Sequence, residues 1–166
     1  MTLTLSHINI RGWAEGTKKN YLTYRDADII SVADTKHNQT PILPGYQWIE
    51  NSTKVGLFYK NNLTDHYAIE KRNTHQERVI NVALTHKATH YTICLYVCYI
   101  QNQWTHKTDH DYTDDSYYRT EALHEMFKET DVTNFDLVLL TGDFNTRILD
   151  KEVLPILDEN IPPETS

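Results

Sequence analysis

Alternation between apolar and polar positions predicts a chain built mainly from β-strands. The pattern is clear over residues 3–10, and short apolar runs follow at 28–33, 46–49 and 55–59. Further runs continue the series at residues 67–71, 78–85, 91–100 and 138–141. Turn-forming residues separate the runs, so we expect antiparallel hairpins around residues 60–62 and around residues 86–90.

The run at residues 91–100 predicts a strand that is covered on both faces. Its apolar side chains alternate, with Ile93, Leu95 and Val97 on one face and Cys94, Tyr96 and Cys98 on the other. Because successive side chains of a strand point to opposite sides, both sides of this sheet must face packed layers. The two cysteines are interpreted as buried structural thiols.

Helical patterns are fewer and lie beside polar segments. An aspartate at position 114 or 115 is placed to cap a helix that reaches about residue 130, and shorter helices are expected within 12–24 and 148–161. Residues 101–115 are rich in His, Asp and Thr and predict a functional loop. His106 and His110 are four residues apart there, but without cysteine or a helical pattern they indicate a solvated loop rather than a zinc site.

Composition places the chain among soluble globular proteins with one domain, residues 1–166. It is 39% hydrophobic and 23% charged, and it contains neither a signal-peptide pattern nor an apolar run long enough to span a membrane. We therefore expect an intracellular protein with no membrane partner. The net charge of -7 argues against a sequence-blind polyanion binder but permits a metal site lined by carboxylates.

Four of the apolar strands end in side chains that can bind a metal ion or form hydrogen bonds with a ligand. Asn9 ends the first strand, Asp34 follows the second, Tyr99 ends the long central run, and Asp143 follows the last. Ligands of α/β sheets commonly bind at the carboxyl ends of strands. Carboxylate and amide oxygens are hard ligands, which suit Mg²⁺ better than Zn²⁺.

The order and spacing of these motifs resemble the endonuclease/exonuclease/phosphatase superfamily. The matching segments are N-I-R-G at 9–12, D-I-I-S-V-A-D-T-K at 28–36, G-L-F-Y-K at 56–60, V-C-Y-I-Q-N at 97–102 and L-L-T-G-D-F-N-T at 139–146. Within the superfamily they look most like the apurinic-type endonuclease domains of non-LTR retrotransposons. The G-D-F-N segment after a buried strand is the most specific element.

The resemblance implies an α/β fold, a β-sandwich flanked by helices in the four-layer arrangement of DNase I. It also implies Mg²⁺-dependent hydrolysis of phosphodiesters, with Mn²⁺ as a substitute, by an endonuclease that nicks DNA. In a retrotransposon-type protein such a domain would work in the nucleus, beside a reverse-transcriptase domain or another polypeptide segment.

The resemblance assigns roles to individual residues of this chain by their positions in the matching segments. Asp34 and Asn9 match the metal-binding positions, and the resemblance assigns Asn9 to phosphate as well. The catalytic positions fall on Tyr99, which faces the phosphate, Asp143, which positions or activates the attacking water, and Asn145, which binds a phosphoryl oxygen. Asn102 and Arg119 match positions that bind phosphate or substrate.

Two departures from the family pattern lower the expected activity. Asp34 stands where the family has the longer Glu, and no Asp-His pair follows Asn145, although the family closes its sheet with a Ser-Asp-His motif. We therefore expect a sandwich that lacks its last strands, and a poor or inactive nuclease unless another segment supplies the histidine. Two alternatives stay open: a degenerate member that binds nucleic acid or protein, and a phosphatase of the same superfamily.

Overall fold

The computed structural model describes residues 2–13, 26–37, 39–51, 54–72, 78–99 and 132–143, together with His124, Phe127 and Lys128. Its strands are β1 (Leu5–Asn9), β2 (Ile29–Ala33), β3 (Tyr46–Glu50), β4 (Val55–Lys60), β5 (Tyr67–Arg72), β6 (Val79–His86), β7 (Thr92–Tyr99) and β8 (Leu137–Asp143). They form two four-stranded mixed sheets, in the orders β1-β2-β4-β3 and β5-β6-β7-β8. A 3₁₀ helix, Asn61–Asp65, lies between β4 and β5.

Every strand expected from the apolar pattern is confirmed, and the hairpin around residues 86–90 is confirmed by the antiparallel pairing of β6 with β7. The hairpin expected around residues 60–62 is wrong. There β4 pairs with β2 and β3, whereas β5 pairs with β6 in the other sheet. The 3₁₀ helix buries Leu63 and carries the chain from one sheet to the other, so the two flanking strands do not pair.

The two sheets pack face to face around an apolar core. One face of β7 supplies Ile93, Leu95 and Val97 to this core, and Ile29 and Leu57 face them from the first sheet. The other face of β7 belongs to an outer layer. There Cys94, Tyr96 and Cys98 pack with Phe127 and Val138. Both cysteines are free and buried, as the sequence predicts.

The first sheet also has an outer layer, formed by Ile30, Val32 and Phe58 with the partly buried Trp13 and Trp48. In the part of the chain that the structure describes, the α-helical residues are His124, Phe127 and Lys128. The predicted loop and helices otherwise lie outside that part, so the flanking helices stay a prediction. Among the described residues no helix is long and apolar enough to cross a membrane.

Candidate active site

Four of the residues singled out from the sequence lie at one end of the sandwich. Strand β1 runs parallel to β2, and β7 runs parallel to β8, so each pair brings two carboxyl ends together. Asn9 ends β1 and Asp34 directly follows β2. Tyr99 and Asp143 end β7 and β8 as a register pair. The cluster formed by these four residues is the candidate active site.

Asn9 connects the two sheets at this end. Its side-chain Nδ2 donates a hydrogen bond of 3.1 Å to Oδ2 of Asp143. Its Oδ1 accepts a hydrogen bond of 3.1 Å from the backbone N–H of Arg11. The second bond fixes which way the amide points, so the Nδ2 group is directed at the carboxylate.

Asp34 occupies a left-handed backbone conformation with φ of 59°. Aspartate tolerates this region better than most residues do, because its short polar side chain forms local hydrogen bonds. The backbone N–H of Asp34 donates to the carbonyl oxygen of Lys54 at 2.8 Å, and its own carbonyl accepts from Gly12 at 2.6 Å. The residue is 8% exposed, and its Oδ1 lies 3.5 Å from Nζ of Lys36.

A buried histidine holds the segment that follows Asp34. The Nδ1 atom of His37 lies 2.9 Å from the Thr35 hydroxyl, and its Nε2 lies 2.6 Å from Oε2 of Glu50 on β3. The His37 ring also contacts Trp48 edge to face at 5.9 Å. With both nitrogens close to oxygens, His37 ties the 34–37 segment to the edge strand of its sheet.

Tyr99 is held in its neutral form beside the two carboxylates. Burial of the ring, together with the nearby charge of Asp34 and more weakly that of Asp143, raises the pKa of Tyr99 above the ordinary value of 10.0. The Arg78 guanidinium opposes this increase, and it stacks over the Tyr99 ring at 5.3 Å from the centroid. Tyr99 therefore presents a phenolic O–H donor at neutral pH.

A second polar layer lies beneath the Asn9–Asp143 contact. The Nδ1 atom of His7 is 2.6 Å from the Ser31 hydroxyl, which is 3.4 Å from the Thr141 hydroxyl. Burial lowers the pKa of His7 below 6.5, and the Asp143 carboxylate opposes that decrease. His7 is therefore largely neutral at pH 7.

The donor chemistry fits Mg²⁺. Two carboxylates and an amide oxygen are hard ligands, and Mg²⁺ commonly binds through one or two carboxylates while it keeps waters and substrate phosphate oxygens. The family resemblance assigns Asp34 and Asn9 to the ion, and this assignment stays a prediction. The described residues include no group of three or more His, Cys, Asp or Glu side chains suited to a metal.

Three predicted site residues, Asn102, Arg119 and Asn145, lie outside the described residues, and their roles stay predictions. Sequence reasoning missed two cations beside the site, Arg78 and Lys36, both of which influence the pKa of Tyr99. Arg78 directly precedes β6, opposite Tyr99 in the antiparallel pairing, and its carbonyl accepts the Tyr99 N–H at 2.8 Å. The only feature of the sequence that indicated Arg78 was a basic residue at the beginning of a predicted strand.

Comparison with solved structures identifies the fold. A protein of the endonuclease/exonuclease/phosphatase family from Bacteroides thetaiotaomicron matches with a TM-score of 0.61 and 18% identity, over 95% of this chain and 68% of that one. An AP endonuclease from Leishmania major matches with a TM-score of 0.65 and 14% identity, over 89% of this chain and 56% of that one. TDP2 from D. rerio, in complex with a single-strand DNA product, matches with a TM-score of 0.56 and 16% identity, over 96% of this chain and 66% of that one.

No protein-family model matches the sequence, and no curated protein does. The identities to the solved structures are low, so the likeness establishes architecture. The chain has the fold of the endonuclease/exonuclease/phosphatase proteins, built here from two four-stranded mixed sheets.

Proposed function

We propose that this chain is a Mg²⁺-dependent phosphodiesterase that nicks DNA. The observation that carries the proposal is the contact between Asn9 and Asp143 across the two sheets, beside a protonated Tyr99. It places a carboxylate, an amide and a phenol at one end of a sandwich whose fold is shared with nucleases. Hydrolysis of a phosphodiester needs those groups, namely an acceptor for the proton of water and donors for the phosphoryl oxygens.

In the proposed reaction, water attacks phosphorus, one P–O ester bond breaks, and the leaving oxygen takes up a proton from solvent water. Asp143 orients the attacking water and accepts its proton. Tyr99 donates its O–H to a non-bridging phosphoryl oxygen, and Asn9 holds the Asp143 carboxylate in place. Asn145, Asn102 and Arg119 complete the phosphate contacts in this proposal.

Asp34 and Asn9 would hold Mg²⁺, which supplies positive charge that stabilises the phosphoryl oxygens and the leaving group. Aspartate places its carboxylate one methylene closer to the backbone than the glutamate of the family pattern. The left-handed conformation of Asp34 and its backbone bonds to Lys54 and Gly12 fix the backbone from which this shorter side chain extends.

The proposed substrate is DNA, and two observations support it. TDP2, which shares the fold, was solved with a single-strand DNA product. Arg78 and Lys36 place two cations beside Tyr99, and phosphate contacts from Arg and Lys supply much of the affinity of proteins for DNA. With a net charge of -7 the whole chain repels polyanions, so binding depends on these local cations and weakens steeply with salt.

We further propose that the domain works within a retrotransposon-type protein in the nucleus. Among the described residues β1 and β8 each have a single strand neighbour, and Leu5 on β1 is 38% exposed. A further polypeptide segment, or a reverse-transcriptase domain, would pair with these edges and bring a histidine to Asp143.

The test is nicking of supercoiled plasmid with Mg²⁺, with Mn²⁺ and with EDTA. We expect Asp143→Ala to lower the metal-dependent rate by about 10²- to 10⁴-fold, the range for loss of a general acid or base. Asn145→Ala should lower it by about 10²- to 10³-fold, the range for loss of a hydrogen-bond donor to a charged oxygen. Asp65→Ala is the matched control, because Asp65 is an exposed aspartate in the 3₁₀ helix. Equal background cleavage by wild type and variants would reject the enzymatic proposal.

Two further measurements separate the alternatives. DNA binding by fluorescence anisotropy, retained without nicking, would favour a degenerate binding module. Release of phosphate from a panel of monoesters, with no nicking, would favour a phosphatase.

A further inference from the structure

The apolar core between the sheets is interrupted by the polar layer of His7, Ser31 and Thr141. Ser31 lies in the middle of β2 and is 0% exposed. Its hydroxyl lies 2.6 Å from Nδ1 of His7 on β1, and 3.4 Å from both the Thr141 hydroxyl on β8 and the Ser6 carbonyl. The layer therefore links the two sheets through one buried hydroxyl.

This layer lies directly below the candidate active site. His7 precedes Asn9 by two residues, and Thr141 precedes Asp143 by two, so the members of each pair share a face of their strand. Two residues of a strand span about 6.6 Å. The His7–Ser31–Thr141 layer joins β1 to β8 through β2, and the Asn9–Asp143 contact joins β1 to β8 directly, so the two are consecutive links between β1 and β8.

The arrangement is costly for a residue that only fills space. The Nε2 atom of His7 is buried and makes no hydrogen bond to the described residues. Burying an unpaired ring nitrogen disfavours folding, and an apolar side chain of similar size would avoid the cost. The compensating feature is the short bond from Nδ1 to Ser31, which fixes the orientation of the ring.

We infer that His7 is a positioning residue for the reaction proposed above, and this inference rests on that proposed function. Through Ser31, His7 sets the separation and register of β1 and β8, so that the Asn9 amide reaches the Asp143 carboxylate. His7 itself touches neither the substrate nor the metal. It affects the reaction only by holding the Asn9–Asp143 contact in place.

The experiment compares His7→Leu, Ser31→Ala and His7→Asn with wild type. The first two remove the short hydrogen bond, whereas asparagine places an amide atom near the position of Nδ1 and restores it. We expect His7→Leu and Ser31→Ala to lower kcat for nicking by about 10- to 100-fold, because small displacements of catalytic groups have effects of this size. KM should change less than kcat, and His7→Asn should recover most of the loss.

Thr4→Val is the matched control for stability. Thr4 bonds to Asp28 at the opposite end of β1 and β2, the strands that carry His7 and Ser31, through bonds of 2.9 Å in both directions. Its loss should lower the midpoint of urea unfolding without lowering kcat. If Thr4→Val and His7→Leu reduce kcat alike, or if His7→Leu keeps the wild-type kcat, the positioning role is rejected.

A second readout does not depend on activity. In ¹⁵N-labelled protein, the side-chain amide resonances of Asn9 report its bond to Asp143. We expect them to move toward free-amide shifts in His7→Leu, to return in His7→Asn and to stay unchanged in Thr4→Val. Absence of nicking by wild type would reject the proposed function, and unchanged Asn9 resonances in His7→Leu would separately reject the role of His7.

Discussion

Replacement of Gly142 by alanine tests how much the stability of the fold depends on the close approach of β8 to β7 just before Asp143. Gly142 lies on β8 with φ of 134°, a conformation that is strained for any residue with a Cβ. A Cβ built there would lie 1.9 Å from the carbonyl oxygen of Cys98 and 2.8 Å from its carbonyl carbon. Both atoms belong to the backbone of β7, so no side-chain rotation relieves the overlap.

The expected cost follows from two contributions. Backbone strain at such a conformation costs about 1–3 kcal/mol. Moving β8 away from Cys98 also weakens one or two ladder hydrogen bonds, at about 1 kcal/mol each. The sum is roughly 2–5 kcal/mol, a large part of the roughly 5–15 kcal/mol that stabilises an ordinary domain. Because each kcal/mol shifts Tm by about 2–4 °C in a domain of this size, Gly142→Ala should lower Tm by about 4–20 °C.

Gly45→Ala provides the control. Gly45 has φ of 84°, and nothing lies within 4 Å of a Cβ placed there, so this change costs backbone strain alone. Thermal and urea unfolding of both variants, followed by circular dichroism, compare the two costs. If Gly142→Ala unfolds within about 1 kcal/mol of Gly45→Ala, the close approach to Cys98 does not govern stability and the reasoning fails.

Three other changes test separate parts of the structure. Asp136→Ala removes the bonds of 2.8 and 3.0 Å that Asp136 accepts from Thr92. It should lower the free energy of unfolding by about 1–3 kcal/mol, while plasmid nicking per folded molecule stays unchanged. His7 has a pKa below 6.5, so the folded state binds fewer protons than the unfolded chain, and stability should fall as pH drops below 6.5. Urea unfolding at pH 5, 6 and 7 should show a shallower pH dependence in His7→Asn, and an unchanged slope would contradict the assignment. Asp34→Ala should raise the Mg²⁺ concentration needed for half-maximal nicking at least about tenfold, since it removes the carboxylate proposed to hold the ion; a parallel Mn²⁺ titration by electron paramagnetic resonance measures binding directly.

Sequence patterns predicted the strands because side chains of a strand alternate between its two faces, so a half-buried strand shows apolar residues at every second position. The two-sided run at β7 also predicted layers on both sides of its sheet, and Cys94 and Leu95 indeed face different cores. Asn9, Asp34, Tyr99 and Asp143 were found for a related reason. Each follows an apolar run at the point where inward-facing positions become polar.

Pairing between distant strands could not be predicted in the same way. The segment 60–62 has the composition of a turn, yet Leu63 is 1% exposed and draws the chain into the core between the sheets. Burial of that single leucine favours passage of the chain from one sheet to the other, rather than a hairpin. The alternation of apolar and polar residues within β4 and β5 does not indicate which of the two occurs. Arg78 was missed because its approach to Tyr99 depends on the register of β6 with β7.

The strands that carry the site are fixed at both ends, and this explains how a few polar residues hold a defined geometry. At their beginnings, Thr4 with Asp28 and Thr92 with Asp136 form matching pairs of reciprocal hydrogen bonds across β1–β2 and β7–β8. The apolar core then holds the middle of each strand, and the polar end projects beyond it. A slip of two residues along β8 would keep the same face inward but would place Thr141 where Asp143 now meets Asn9. The hydrogen bonds at the far end of the sheets stabilise the strands against such a slip, whereas the layer of His7, Ser31 and Thr141 lies directly beneath the Asn9–Asp143 contact.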